Sequence, residues 1–373
     1  MFFSISKQKD NRFLNNFSLG NFYFNCDNGW VISENKFFKG YKTPNCSHGN
    51  WTEVILTGER DIRVDSDGLR SYPLWWDNDN KILTNLNGNG ERIWADTNVS
   101  ITKDFILKKS RREFPEFSDN IPITLDNFLD WIIKNLNNKV NDFFQKYEKE
   151  NLKFFPTGGI DTGTIYALLK YNKKDSNVDV INYEYFYYDN FCNKNIDKIQ
   201  NNYWAYKQIH HWKEKSFLLS GGCGDEFWFR GPYTISIWSA WHDINLPEIL
   251  QKNKGYHTDY FFKEKNINIF QKSFENRHKI QEMYPTYESL KNQILNINAN
   301  DHQHWHLNNT ITWTPFKDLK ITNKILLLPF DDILNQIIDA SLNKKVIKEL
   351  APEILSTISE TKNLNSREKC KIF

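Results

Sequence analysis

The sequence predicts an α/β protein in which a C-terminal parallel-sheet domain follows a smaller β-rich N-terminal part. Three observations predict it. The first ~110 residues are short apolar or β-branched runs broken by Asn, Asp and Gly clusters. From residue 124 onward the pattern becomes helix, strand, helix, strand, helix, strand. Two glycine-rich segments, Thr157–Thr162 and Ser220–Phe227, stand just after two of those strands, where parallel sheets bind ligands.

In the N-terminal part, Phe22-Tyr23-Phe24, Trp30-Val31-Ile32, Val54-Ile55-Leu56 and Ile62-Arg63-Val64 read as strands. Asp27-Asn28-Gly29 and Asn87-Gly88-Asn89-Gly90 read as turns between such runs. Phe114-Pro115 and Ile121-Pro122 bracket a polar linker, so the boundary falls between a domain at 1–115 and one at 116–373. Thr124-Leu125-Asp126-Asn127 opens an amphipathic helix to about Lys149, with Phe128, Trp131, Ile132, Leu136, Val140, Phe143 and Phe144 at helical spacing. A strand at Leu152–Phe155 leads through the first glycine loop into a helix around Thr164–Leu169. A second strand at Val178–Phe186, a helix around Asn195–His210 and a strand at Phe217–Leu219 follow. Such alternation gives parallel strands with crossover helices. The tail from about Trp238 reads as mostly helical.

Composition bounds the functional classes. At 373 residues with 39% hydrophobic and 16% aromatic side chains, the chain can build a sizeable core, which excludes disorder over most of its length. A net charge of +2 with interspersed signs gives no reason to expect a polyanion-binding surface, so no nucleic-acid partner is expected. Cys26, Cys46, Cys192, Cys223 and Cys370 form no C-x-x-C pair and read as cytoplasmic free thiols. The apolar run Ile325–Phe330 is too short to span a bilayer, and the start of the chain lacks the apolar stretch of a signal peptide. A soluble, cytoplasmic protein without membrane partners is the expectation.

Thr157-Gly158-Gly159-Ile160-Asp161-Thr162 has the chemistry of a phosphate cradle. Two glycines let backbone N–H groups approach phosphate oxygens. The following helix start adds a partial positive charge. Thr157 and Thr162 supply hydroxyls. Asp161 is out of place in an anion site unless it holds a divalent metal that bridges phosphates. Ser220-Gly221-Gly222-Cys223-Gly224-Asp225-Glu226-Phe227 repeats the design of strand, glycines and acid. Asp161 and Asp225 could thus meet one Mg²⁺–pyrophosphate from adjacent strand ends.

The first loop resembles the S-G-G-x-D-S loop of the PP-loop ATP pyrophosphatases, with Thr in place of both Ser. The second resembles the S-G-E-G-(S/A)-D-E-L-F-G-G-Y segment of the asparagine synthetase family, whose end Arg230-Gly231-Pro232-Tyr233 loosely fits. Thr314-Pro315-Phe316-Lys317-Asp318 is similar to that family's V-P-F-L-D, Lys344–Glu349 to its K-H-I-L-R-E, and Ala351–Ile354 to its L-P-x-x-I. Arg60–Trp76 is similar to D-P-x-G-x-R-P-L-Y-Y with one residue inserted. The resemblance implies a C-terminal PP-loop ATP-pyrophosphatase domain and a smaller N-terminal Ntn-like glutaminase remnant. It implies ATP and Mg²⁺ as cofactors, and small-molecule carboxylate and amine substrates. ATP and pyrophosphate would be held by Thr157, Gly158, Gly159, Asp161, Thr162, Ser220 and Gly221, with Asp161 and Asp225 on the metal. Lys344 would offset negative charge on the α-phosphate. A homodimer is an assembly the resemblance allows.

The chain also departs from that family. Phe2 stands where glutamine-dependent members carry the nucleophilic cysteine, so glutaminase activity is not expected. Gly222 stands where asparagine synthetases carry a glutamate near the ammonia nucleophile. A different amide product, as in β-lactam-forming synthetases, is therefore a second expectation. A non-catalytic nucleotide-binding relative and a base-adenylating tRNA-modifying enzyme are further readings; the latter lacks a basic surface or a thiolating cysteine pair. His302, His304 and His306 form an H-x-H-x-H run that reads as structural or solvent-facing, with a substrate-pocket role as the alternative. His210 and His211 read as packing residues, and Tyr183–Tyr188 as a buried strand and its end.

Overall fold

Alternating large apolar and polar residues in the first third of the chain fold as twelve strands among the described residues. A computed structural model describes residues 3–27, 29–42, 49–57, 61–67, 74–85, 90–95, 97–111, 121–154, 159–180, 216–253, 255, 261, 264–301 and 310–358. The strands are β1 (Phe3–Ser6), β2 (Asn15–Leu19), β3 (Phe22–Cys26), β4 (Val31–Ser33), β5 (Lys36–Lys42) and β6 (Gly49–Leu56). They continue with β7 (Ile62–Ser66), β8 (Leu74–Asp77), β9 (Ile82–Thr84), β10 (Glu91–Ile93), β11 (Thr97–Ile101) and β12 (Leu107–Arg111). They pair antiparallel in two six-stranded sheets, ordered β10-β8-β9-β1-β3-β2 and β12-β11-β7-β6-β5-β4. Phe3, Ile5, Phe22 and Phe24 of the first sheet share one buried core with Phe37, Val54, Val64 and Val99 of the second. The rings of Phe24 and Phe37 meet at 4.3 Å across that interface. This is the alternation of a sheet with one face buried.

The first helix forms where its spacing predicts. α1 (Leu125–Tyr147) buries Phe128, Ile132, Leu136, Val140, Phe143, Phe144 and Tyr147 on one face. Each such fully buried large side chain contributes about 1.5–3 kcal/mol. The Thr124 side chain accepts from the Asn127 N–H and caps the start, a contact whose loss costs about 1 kcal/mol.

Behind α1 lies a four-stranded parallel sheet, ordered β14-β13-β15-β16. Its strands are β13 (Asn151–Phe154), β14 (Asp179–Val180), β15 (Ser216–Leu219) and β16 (Thr310–Trp313). α2 (Ile160–Tyr171) follows β13. α3 (Gly224–Phe227), α4 (Pro232–Trp241), α5 (Leu246–Lys252), α6 (Glu264–Glu275), α7 (Arg277–Met283) and α8 (Tyr287–Asp301) lie between β15 and β16. α9 (Leu319–Ile325), α10 (Phe330–Asp339) and α11 (Ser341–Leu350) come last. The tail is thus mostly helical as expected, with β16 the exception. The predicted helix at 195–210 and the predicted strand beyond Val180 lie outside the described residues.

The two parts share side chains. Tyr41 of β5 is fully buried among Phe143 and Tyr147 of α1 and Phe217 of β15. Lys317, after β16, pairs with Asp67, after β7, at 3.3 Å with both side chains nearly inaccessible. No helix among the described residues is long and apolar enough to cross a membrane.

Candidate active site

Register places the functional loops side by side. Phe154, Leu219 and Trp313 are paired across β13, β15 and β16, so these three strands end level. β14 and β15 flank β13 on opposite sides. Successive strands are therefore added on opposite sides of β13, and the crevice at such a reversal of strand order, here between β13 and β15, is where open α/β sheets bind ligands.

At the end of β13, Gly159 caps α2 with extended backbone and no side-chain bond. The positive end of this twelve-residue helix lies at Gly159–Thr162. The Thr162 hydroxyl donates back to the Gly159 carbonyl at 3.0 Å. Thr157 and Gly158, the predicted start of the cradle, lie outside the described residues.

At the end of β15, the Ser220 N–H donates to the Trp313 carbonyl at 2.9 Å, and the Ser220 hydroxyl accepts from the Gly222 N–H at 3.0 Å. The Thr314 hydroxyl donates to the Gly222 carbonyl at 2.9 Å. Cys223 adopts a left-handed φ of 64° and starts the single turn α3. Two glycines are required by the approach of the first loop. A Cβ on Gly221 would lie 2.9 Å from the Thr162 nitrogen, and one on Gly224 would lie 2.3 Å from the Asp161 carboxyl carbon. Residues 159–162 and 220–225 are therefore one packed unit, and Gly159, Asp161, Thr162, Ser220, Gly221 and Asp225 are brought together.

Arg230 completes this unit, and sequence reasoning gave it no role. It lies in the turn between α3 and α4, and its side chain is inaccessible to solvent. Its Nη2 donates to Asp161 Oδ1, and its Nη1 lies 3.2 Å from Asp225 Oδ1. Asn343 Nδ2 adds a donor to Asp161 Oδ1 at 3.4 Å. The Asn343 amide is oriented by Gln336, whose Nε2 donates to Asn343 Oδ1 at 2.8 Å and to the Trp228 carbonyl at 2.9 Å. Gln336 Oε1 in turn accepts from the Leu342 N–H at 2.8 Å.

The site is rich in carboxyls and partly buried, with Asp161 and Asp225 side chains 17% and 40% exposed. Burial raises the Asp161 carboxyl to about 7, against the pull of Arg230 and with a further push from Asp225. Burial, then the charge of Asp225, raises Glu226 to about 7 as well. Burial, then the charge of Glu226, pushes the Cys223 thiol up.

Lys344 follows Asn343 on α11, but its Nζ pairs with Asp339 at 2.7 Å. Asn343, not Lys344, is the residue of that helix bonded to Asp161. The runs at 183–188, 210–211 and 302–306 lie outside the described residues.

A divalent ion does not fit Asp161 and Asp225 as they stand. The Arg230 guanidinium already engages both carboxylates. Among the described residues, no group of three or more His, Cys, Asp or Glu side chains is arranged to hold a metal. No protein-family model matches the sequence, and no curated protein aligns with it at a significant level.

Proposed function

We propose that the chain is an AMP-forming amide ligase of the asparagine synthetase type without glutaminase activity, built on a PP-loop ATP-pyrophosphatase domain. The supporting observation is the convergence of the two glycine loops at the switch point, with Asp161 and Asp225 gathered on one guanidinium. In this reading a substrate carboxylate attacks the α-phosphate of ATP, and pyrophosphate departs. An amine then attacks the acyl-adenylate, giving the amide and AMP. The start of α2, from Gly159 to Thr162, receives the pyrophosphate through its backbone and helix dipole. Thr157, Gly158, Ser220 and Gly221 complete the proposed cradle. Lys344 supplies the cation for the α-phosphate. Its present pair with Asp339 has 28% and 44% side-chain exposure, so it is the kind of surface contact that is given up at low cost. No step is routed through magnesium, because Arg230 holds the carboxylates the metal would need.

Release of pyrophosphate and AMP, measured across panels of carboxylates and amines, tests the reading. Asp161→Ala is the inactive control. Turnover is expected with an amine donor and not with glutamine. Failure to bind ATP at all would exclude the ligase. One observation favours a rival, a nucleotide-binding protein without turnover: a fixed guanidinium occupies the carboxylates. ATP binding with no pyrophosphate release from any pair would select that rival.

A further inference from the structure

We propose that Arg230 is the resident cation of the paired carboxylates, its guanidinium holding Asp161 and Asp225 together in place of a divalent ion. The inference stands on geometry and does not require the ligase reading.

Two carboxylates delivered next to separate strands repel one another, the more so where one of them is largely withdrawn from solvent. A buried guanidinium, for its part, must be matched by anions. Here each need meets the other. Arg230 is wholly buried, and its two terminal nitrogens reach one carboxylate each. A guanidinium is a planar fork of fixed donors, so it sets direction as well as charge. Magnesium would instead demand six oxygens in an octahedron and would keep several waters.

The fork is held from behind. The Arg230 N–H donates to the Asp225 carbonyl, and Phe229 before it has a φ of 59°. Trp228 and Phe229 are fully buried. Trp228 packs edge-on against Phe128 at 6.4 Å and Phe316 at 5.9 Å, and Phe229 against Trp238 at 5.9 Å. The bond from Gln336 to the Trp228 carbonyl fixes the turn further. On the other side, the missing side chain of Gly224 gives the Asp161 carboxyl its room. A cation built in this way cannot be chelated or exchanged, so the two loops keep their mutual placement with no ion in solution.

Mn²⁺ binding to the wild-type chain, followed by electron paramagnetic resonance, is the first arm of the test and does not depend on any Arg230 variant. Mn²⁺ bound stoichiometrically in the wild type and lost in Asp161→Asn would overturn it; no such binding is expected. Thermal unfolding in EDTA and in excess Mn²⁺ gives the second arm. The wild-type midpoint should be the same in both. Arg230→Met should fall by roughly 5–10 °C in EDTA and recover most of that in Mn²⁺. Adding Asp161→Asn and Asp225→Asn should abolish the recovery. A folded Arg230→Met chain indifferent to Mn²⁺ would overturn the proposal. If that variant does not fold, the wild-type Mn²⁺ measurement decides.

Discussion

Lys317 and Arg230, two of the buried cations at the carboxyl end of the parallel sheet, are used differently. Among the described residues, Lys317 meets the carboxylate of Asp67, with side-chain exposures of 1% and 5%. Asp67 also accepts from the Trp51 N–H at 3.3 Å. Among the described residues, Arg230 meets the carboxylates of Asp161 and Asp225, whose side chains are 17% and 40% exposed, and Glu226 follows Asp225 in sequence. The Lys317–Asp67 pair, nearly inaccessible to solvent, ties the β-rich part to the parallel sheet. One cation against a surplus of acids, open on one side, leaves unspent charge where solvent and solutes arrive. Burial alone thus does not mark a functional charge. The mismatch in number and the open side do.

The comparison is broken most strongly at its closed member. Lys317→Met leaves Asp67 buried without its cation and should cost about 3–5 kcal/mol, read as a lower urea midpoint. The double variant Lys317→Met/Asp67→Asn should recover part of that loss. A single variant as stable as wild type would show that the pair contributes nothing. Next comes the open cluster. Gly224→Ala puts a methyl against the Asp161 carboxyl and should cost about 1–3 kcal/mol, with weaker ATP affinity by calorimetry as a second readout. Unchanged affinity would separate the Asp161 loop from nucleotide binding.

Titration sharpens the contrast further. The folded values of Asp161 and Glu226 lie above their ordinary range, at about 7. A raised carboxyl contributes stability that is full below its unfolded value and lost as pH rises through the folded one. The unliganded protein should therefore lose melting temperature as pH rises through 7, and Glu226→Gln should flatten the slope. His242 acts in another window. Burial lowers it to about 4, so its contribution is intact above the ordinary histidine value and is lost as pH falls toward 4. A melting temperature that climbs through neutrality in the wild type would refute the assignment to Asp161 and Glu226. The smallest stability effect belongs to Lys344. Lys344→Ala breaks a surface pair and should change stability by less than about 1 kcal/mol, while pyrophosphate release falls to the level of Asp161→Ala. Retained release would remove Lys344 from the proposed chemistry.

Periodicity made the architecture readable where elements are local. The 3.6-residue spacing of Phe128, Ile132, Leu136 and Val140, with Thr124 in front, defined α1 to within about two residues of its observed end. The strands ending at Phe154 and Leu219 were marked by the glycines that follow them. β16 was missed because Thr310–Trp313 is a four-residue strand inside a run read as helical. The site was readable only as far as loops and acids. Arg230 contacts Asp161 across 69 residues of chain, and no local pattern encodes such a pairing. A trace of it existed: counted in register from Ser220, Arg230 falls on a glycine of the pattern that the second loop resembles. Asn343 and Lys344 differ by one helical step, about 100° of rotation. Spacing found the helix and could not say which of the two faces Asp161.

The level ending of β13, β15 and β16 has a consequence for how this protein comes into being. Each strand delivers one part of the site, and the partners are far apart along the chain. Asn343 reaches back 182 residues to Asp161, and Lys317 reaches back 250 to Asp67. Contacts of such long range form only after large loops have closed, which makes them slow. A chain emerging from the ribosome carries both glycine loops and both aspartates long before β16 and α11 can arrive to support them. The site is thus a record of completed synthesis: chains cut short before residue 310 contain the motifs but lack the strand and helices that brace them.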